Sequence, residues 1–146
     1  MVKDLFSRRI VGWALGETLE STLVETAWKR ALQTRGFAPH QGPELYHSDR
    51  GSQSASHPFR NLLASSNTQA SMSGTGECLD NAVAESFFGT LKAELLGDQP
   101  GGRFVGKKQT LELVGDYIDN FYNLVRRHSA LGYKSPIAFE MAQHTK

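Results

Sequence analysis

The chain has 146 residues, enough for one domain with one core. Hydrophobic residues make up 39% and charged residues 21%, a balance that excludes a disordered tail or a fibre. Sixteen basic against fifteen acidic side chains leave a net +1, so bulk charge names no partner, and the one cysteine, Cys78, excludes an internal disulfide framework and fits a reducing compartment.

Apolar runs such as residues 10–15 fall far short of the roughly 20 residues a bilayer span needs. No apolar stretch follows Lys3, so no secretory leader is expected. Residues 9–15 (Arg-Ile-Val-Gly-Trp-Ala-Leu) are rich in strand formers and predict a strand. Thr18 or Ser21 can cap a following helix, whose apolar positions Leu23, Val24, Ala27, Trp28 and Ala31 keep helical spacing to about Arg35. Residues 36–43, with two prolines and two glycines, read as a loop. Leu45–Ser48 reads as a short buried strand running into a turn at 49–53. Pro58, then Phe59, Leu62 and Leu63, mark a short helix. Residues 68–72 predict a strand and 73–76 a flexible loop.

A helix is expected next over about 81–96, with Asp80 as its N-cap and a stripe of Ala84, Phe87, Phe88, Leu91 and Leu95. Residues 97–102 break it. A last long helix is predicted over about 107–125, on the stripe Leu111, Val114, Tyr117, Ile118, Phe121, Tyr122 and Val125. Gly115 inside it costs up to about 1 kcal/mol relative to Ala. Strands alternating with helices predict an α/β layered fold. Trp13 and Trp28 are expected in the core, His47 as a hydrogen-bonded core residue rather than a ligand, and Cys78 as a small loop residue.

Charge is uneven along the chain. Residues 1–60 carry eight basic and six acidic side chains, 61–102 one and five, and 103–134 six and three. A basic segment beside a carboxylate cluster suits an anionic polymer processed with metal ions, although solvated surface faces give the same pattern. Asp49 closes a predicted strand, and Glu85 sits beside the apolar stripe of a later helix. Two carboxylates meeting at a strand end can hold a hard divalent cation. Two such ions activate an attacking oxygen and stabilise the leaving oxygen of a phosphodiester. Asn81, Glu85 and Lys92 lie within about 40° of one another on the helix, so Lys92 is placed to contact a nearby phosphate. The competing reading makes Asp49 a turn former and Glu85 an ordinary surface residue.

Five blocks, in order, carry a resemblance across nearly the whole chain: "DLFSRRIVGWAL" at 4–15, "HSDRGSQ" at 47–53, "SMSGTGECLDNA" at 71–82, "DNAVAESFFGTLKAEL" at 80–95 and "YNLVRRHSALGYKSPIAFE" at 122–140. They resemble bacterial insertion-sequence transposases whose catalytic domain is similar to retroviral integrase. The resemblance implies a ribonuclease-H-like fold and an Asp-Asp-Glu triad holding two Mg²⁺ or Mn²⁺. The implied activity is DNA cleavage, then attack of the freed 3′ hydroxyl on target DNA. Asp49 matches the second acid, Glu85 the third and Lys92 the basic residue after the glutamate, while Asn81 matches the Asn of its block. Arg126, Arg127 and His128 fall in a C-terminal basic word, where a DNA contact and a structural ion-pair cluster are both open. Implied partners are element ends and target DNA, and a second copy or the intact transposase. The implied location is the bacterial cytoplasm, at the nucleoid, with no membrane.

The resemblance also sets out departures. The chain is expected to hold a core over about 4–100 and a C-terminal helical and basic segment over about 103–146. The family's first catalytic Asp lies upstream of the first block, and Asp4 matches the Asp of that block, in a turn, not the first acid. The expectation is a catalytic domain truncated at its N-terminus, without the first central strand. A buried strand supplies several side chains worth about 1.5–3 kcal/mol each, so reduced stability is expected as well as little or no catalysis. Ser54 stands where the family tends to have an aromatic, and Glu77 in a stretch that is often basic. The alternative is a non-catalytic remnant that binds DNA or intact transposase as an inhibitor, or has no function.

Overall fold

The computed structural model describes residues 1–16, 21–38, 40–43, 45–48, 56–72 and 82–145. It divides into two compact units, Met1–Val2 with Val11–Glu85, and Lys3–Ile10 with Ser86–Lys146. Strands β1 (Val2–Lys3) and β2 (Ile10–Gly12) form one two-stranded sheet. The strand expected over 9–15 is thus three residues long, because its partner offers a ladder only two residues long. The architecture is mixed α/β.

In the first unit, α1 (Ser21–Arg35) places Ala27, Trp28 and Ala31 inside, with Val24 and Leu32 half-buried beside them. Ser21 opens this helix rather than capping it, and Thr18 lies outside the described residues. The helix stops where Gly36 takes a left-handed φ of +69°. The Gly36 N–H donates to the Gln33 carbonyl (3.0 Å) and the Phe37 N–H to that of Leu32 (3.1 Å), closing the helix as a Schellman turn. Gly12 of β2 lies directly on α1: a Cβ there would stand 2.0 Å from the Ala27 carbonyl oxygen. The small residues Ala27 and Ala31 are what let a strand backbone come that close.

Helix α2 (His57–Ser65) has Pro58 in its first turn and buries Phe59 and Leu63. Strands β3 (Leu45–Ser48) and β4 (Gln69–Met72) run parallel, in the register Leu45–Gln69, Tyr46–Ala70, His47–Ser71 and Ser48–Met72. Parallel neighbours need a crossover, and α2 lies on it. Trp28, Phe59 and Leu63 form the core, with Tyr46 edge-on to Trp28 (5.1 Å) and Phe59 (5.2 Å). The expected buried strand is therefore half-buried: Tyr46 and Ser48 face inward, and Leu45 and His47 are exposed. Alternate strand residues point to opposite faces, so packing on one side covers only every second residue. His47 is accordingly not a core residue; its Nδ1 lies 3.1 Å from Ser71 Oγ on the neighbouring strand. Trp13 is also only half-buried, with the Arg30 guanidinium 5.9 Å above its ring.

In the second unit, the β1–β2 turn is built by Asp4. Its Oδ1 accepts the N–H groups of Phe6 (2.8 Å) and Ser7 (3.1 Å), and its own N–H donates to the Arg9 carbonyl (2.8 Å). Helix α3 (Ala82–Leu95) spans the predicted 81–96 closely, and 3₁₀ turns at Leu96–Asp98 and Pro100–Gly102 fill the predicted break. Of its apolar stripe Phe87 is buried, edge-on to Tyr122 at 5.0 Å, whereas Phe88 is exposed.

The long helix expected over 107–125 is interrupted. Helix α4 (Lys107–Asp116) passes into a π-helical turn, Tyr117–Tyr122. The i→i−5 bonds Asn123 N–H to Ile118 carbonyl (3.0 Å) and Arg126 N–H to Phe121 carbonyl (2.7 Å) mark it. The extra residue in the turn rotates the side chains beyond it about the helix axis. Val114, Tyr117, Ile118 and Tyr122 are buried as the stripe predicts, but Phe121 and Val125 are turned outward and Asn123 inward. Asn123 donates from Nδ2 to the Ile10 carbonyl and accepts the Ile10 N–H at Oδ1, both at 2.9 Å. The last helix is α5 (Pro136–His144), N-capped by Ser135, whose Oγ accepts the Ala138 N–H. Its Glu140 accepts from Ser7 Oγ (2.6 Å) and Arg9 Nη1 (2.9 Å).

Candidate functional site

Strand β3 ends at Ser48, one residue before Asp49; Asp49 and Asn81 themselves lie outside the described residues. Glu85 is in the first turn of α3, of which the helical backbone is described at that position. Lys92 stands in the last turn of the same helix and is exposed. Among the described residues, no three His, Cys, Asp or Glu side chains gather to hold a metal ion. The candidate donors are the carboxylates of Asp49 and Glu85. Such oxygen donors fit a hard divalent cation. Asp4 is committed elsewhere, its carboxylate accepting the two turn amides.

The C-terminal basic word divides by role. Arg126 donates from Nε to both oxygens of Glu94 (2.9 and 3.0 Å), and Tyr117 Oη donates to Glu94 Oε2 (2.7 Å). Burial, then the Glu94 hydrogen bond and charge, push the Tyr117 phenol upward. The His128 ring stands edge-on to Tyr122 at 4.9 Å, and among the described residues its buried Nε2 has no hydrogen-bond partner. Burial, then the charges of Arg126 and Lys3, hold His128 down at about 4, so it is neutral at physiological pH. Arg127 is exposed. Of the two arginines, Arg127 is thus the one without an ion pair among the described residues.

Sequence reasoning did not single out Asn123, Glu94, Glu140, Ser7 or Arg9. Yet Asn123, Glu140, Ser7 and Arg9 tie the block at 4–15 to the block at 122–140: Ile10 to Asn123, and Ser7 and Arg9 to Glu140. The signal was present as two words of one resemblance far apart in the chain, and nothing in their spacing says that they meet.

Residues 1–78 match a family model described as an integrase core domain, and residues 66–136 match a second model of the same description. An insertion element IS600 uncharacterized 31 kDa protein of Shigella sonnei is 40% identical over 143 residues, covering 98% of this chain and 50% of that protein. A transposase for insertion sequence element IS904 of Lactococcus lactis is 39% identical over 137 residues, covering 94% and 52%. The transposase InsF for insertion sequence IS3A of Escherichia coli is 36% identical over 140 residues, covering 96% and 46%. The chain spans about half the length of the curated relatives it matches. No helix among the described residues is long and apolar enough to cross a membrane.

Proposed function

Because the chain belongs to the integrase core domain family, we propose that it supplies two metal-binding acids, Asp49 and Glu85, to a transposase that cuts DNA and joins its ends. The observation that carries this reading is local. The strand ends one residue before the aspartate, and the glutamate opens the helix that the "DNAVAES" block calls for. The mixed α/β architecture and the parallel β3–β4 pair support a ribonuclease-H-like core. The relatives that match are insertion-sequence proteins, which supports DNA as the substrate.

Asp49 and Glu85 would hold the cation, Mg²⁺ or Mn²⁺. When bound, it supplies charge neutralisation at the scissile phosphodiester and activation of the attacking oxygen. Without it the two carboxylates repel, and one of them takes up a proton more readily. Lys92 and Arg127, both exposed, would contact backbone phosphates, and Asn81 is assigned a DNA contact with them. Arg126 and His128 act through packing, since each is engaged within its own unit. A second copy or a longer transposase is the partner this reading implies.

Paramagnetic broadening by Mn²⁺ tests the site directly. The amide signals flanking Asp49 and Glu85 broaden first, and Glu85→Gln or Asp49→Asn suppresses this. Broadening elsewhere, untouched by either variant, refutes the assignment. So does any Mg²⁺-dependent nicking of DNA that Glu85→Ala leaves unchanged.

A further inference from the structure

We infer that Lys3 and Arg8, beside the Tyr122 ring and the Glu94-paired Arg126, form a docking patch for the phosphate backbone of duplex DNA. The inference rests on the DNA-processing reading above and adds to it residues from the N-terminal hairpin. Lys3 Nζ lies 5.7 Å from the centre of the Tyr122 ring and Arg126 Cζ 6.0 Å from it. Arg8, held in the turn with a left-handed φ of 62°, is near enough for its charge to act on Lys3, Tyr122 and His128.

Against these three cations, Glu94 is the acid that acts on the cluster among the described residues, and its two oxygens are engaged by Arg126 and Tyr117. Lys3 and Arg8 have no ion pair among the described residues. Surface cations normally relieve mutual repulsion by swinging into water. Lys3 does not: it is half-buried over an aromatic face. Burial, then the charges of Arg8 and Arg126, lower its ammonium to about 8. A cluster with uncompensated, partly desolvated positive charge gains most from an anion with several acceptor oxygens, which a phosphodiester backbone provides. Arg127, next in sequence to His128, and Lys134, bridged to His128 through the backbone, are both exposed.

The test is the salt dependence of binding to a short labelled duplex, read by fluorescence anisotropy with the full chain. Each phosphate contact contributes a slope of about 0.9 to the plot of log affinity against log salt. The double variant Lys3→Gln, Arg8→Gln is expected to lower the slope by nearly two and weaken binding on the order of tenfold or more at moderate salt. Lys3→Arg and Arg8→Lys are expected to retain both. Thermal unfolding monitors each variant. If Lys3→Gln unfolds, Arg8→Gln alone carries the test, with half the slope change. A wild-type chain that binds duplex DNA while the variants bind equally well, with the same slope, overturns the patch and leaves the broader reading standing. A wild-type chain with no salt-dependent affinity for duplex DNA overturns both.

Discussion

Asn123 is the side chain on which the largest structural effect is expected. Its amide makes two hydrogen bonds of 2.9 Å to the backbone of Ile10, and both residues are buried, at 4% and 3% exposure. In effect the side chain continues the ladder beyond β2, offering one donor and one acceptor as a neighbouring strand would. Asn123→Ala leaves the Ile10 N–H and carbonyl without partners where water does not reach. A buried group so orphaned costs about 1–3 kcal/mol, so the pair is worth roughly 2–6 kcal/mol. Set against a usual domain stability of about 5–15 kcal/mol, that is a large share. Asn123→Asp keeps the acceptor but loses the donor and places a charge in the interior, so it is expected to destabilise as well. Urea unfolding gives the total effect, and amide exchange at Ile10 gives the local one, with protection expected to fall by about tenfold for each 1.4 kcal/mol lost. If Asn123→Ala leaves both the urea midpoint and Ile10 protection unchanged, the clamp contributes nothing and the reasoning fails.

Three further perturbations have definite expected outcomes. Gly12→Ala places a Cβ 2.0 Å from the Ala27 carbonyl oxygen, so it is expected to lower stability by about 1–3 kcal/mol or more, read as a drop in thermal midpoint. Gly89→Ala, in the exposed middle of α3 with open space for a Cβ, is expected to raise stability by about 0.5–1 kcal/mol. His128 gives a pH signature. Burial, then nearby cations, lower its folded pKa to about 4, so the unfolded chain takes the proton first as the pH falls. Stability is full above about 6.5 and declines toward about 4, and His128→Phe is expected to flatten that decline in urea titrations at successive pH values.

Much was legible from local pattern. Periodicity and punctuation located α1, α2 and α3 within a few residues, and Gly36 ended α1 as a left-handed cap does. Asp4 proved to be a turn former, as its place in the first block implied. Arg126, for which a DNA contact and a structural ion-pair cluster were both open, pairs with Glu94. The candidate acids are named by residue type, by element ends and by the words around them. All of these signals lie within a window of one element, where spacing and side-chain chemistry are enough.

Tertiary structure alone decided the rest. The stripe on residues 107–125 is helical by period, yet the chain inserts a π-turn and turns Phe121 and Val125 out so that Asn123 can reach Ile10. The face that β3 buries, the partial exposure of Trp13 and the union of Glu140 with Arg9 depend equally on what packs where. A periodic pattern records which side of an element is apolar. It does not record which distant polar group will satisfy a buried backbone, and that pairing is settled only when the elements meet.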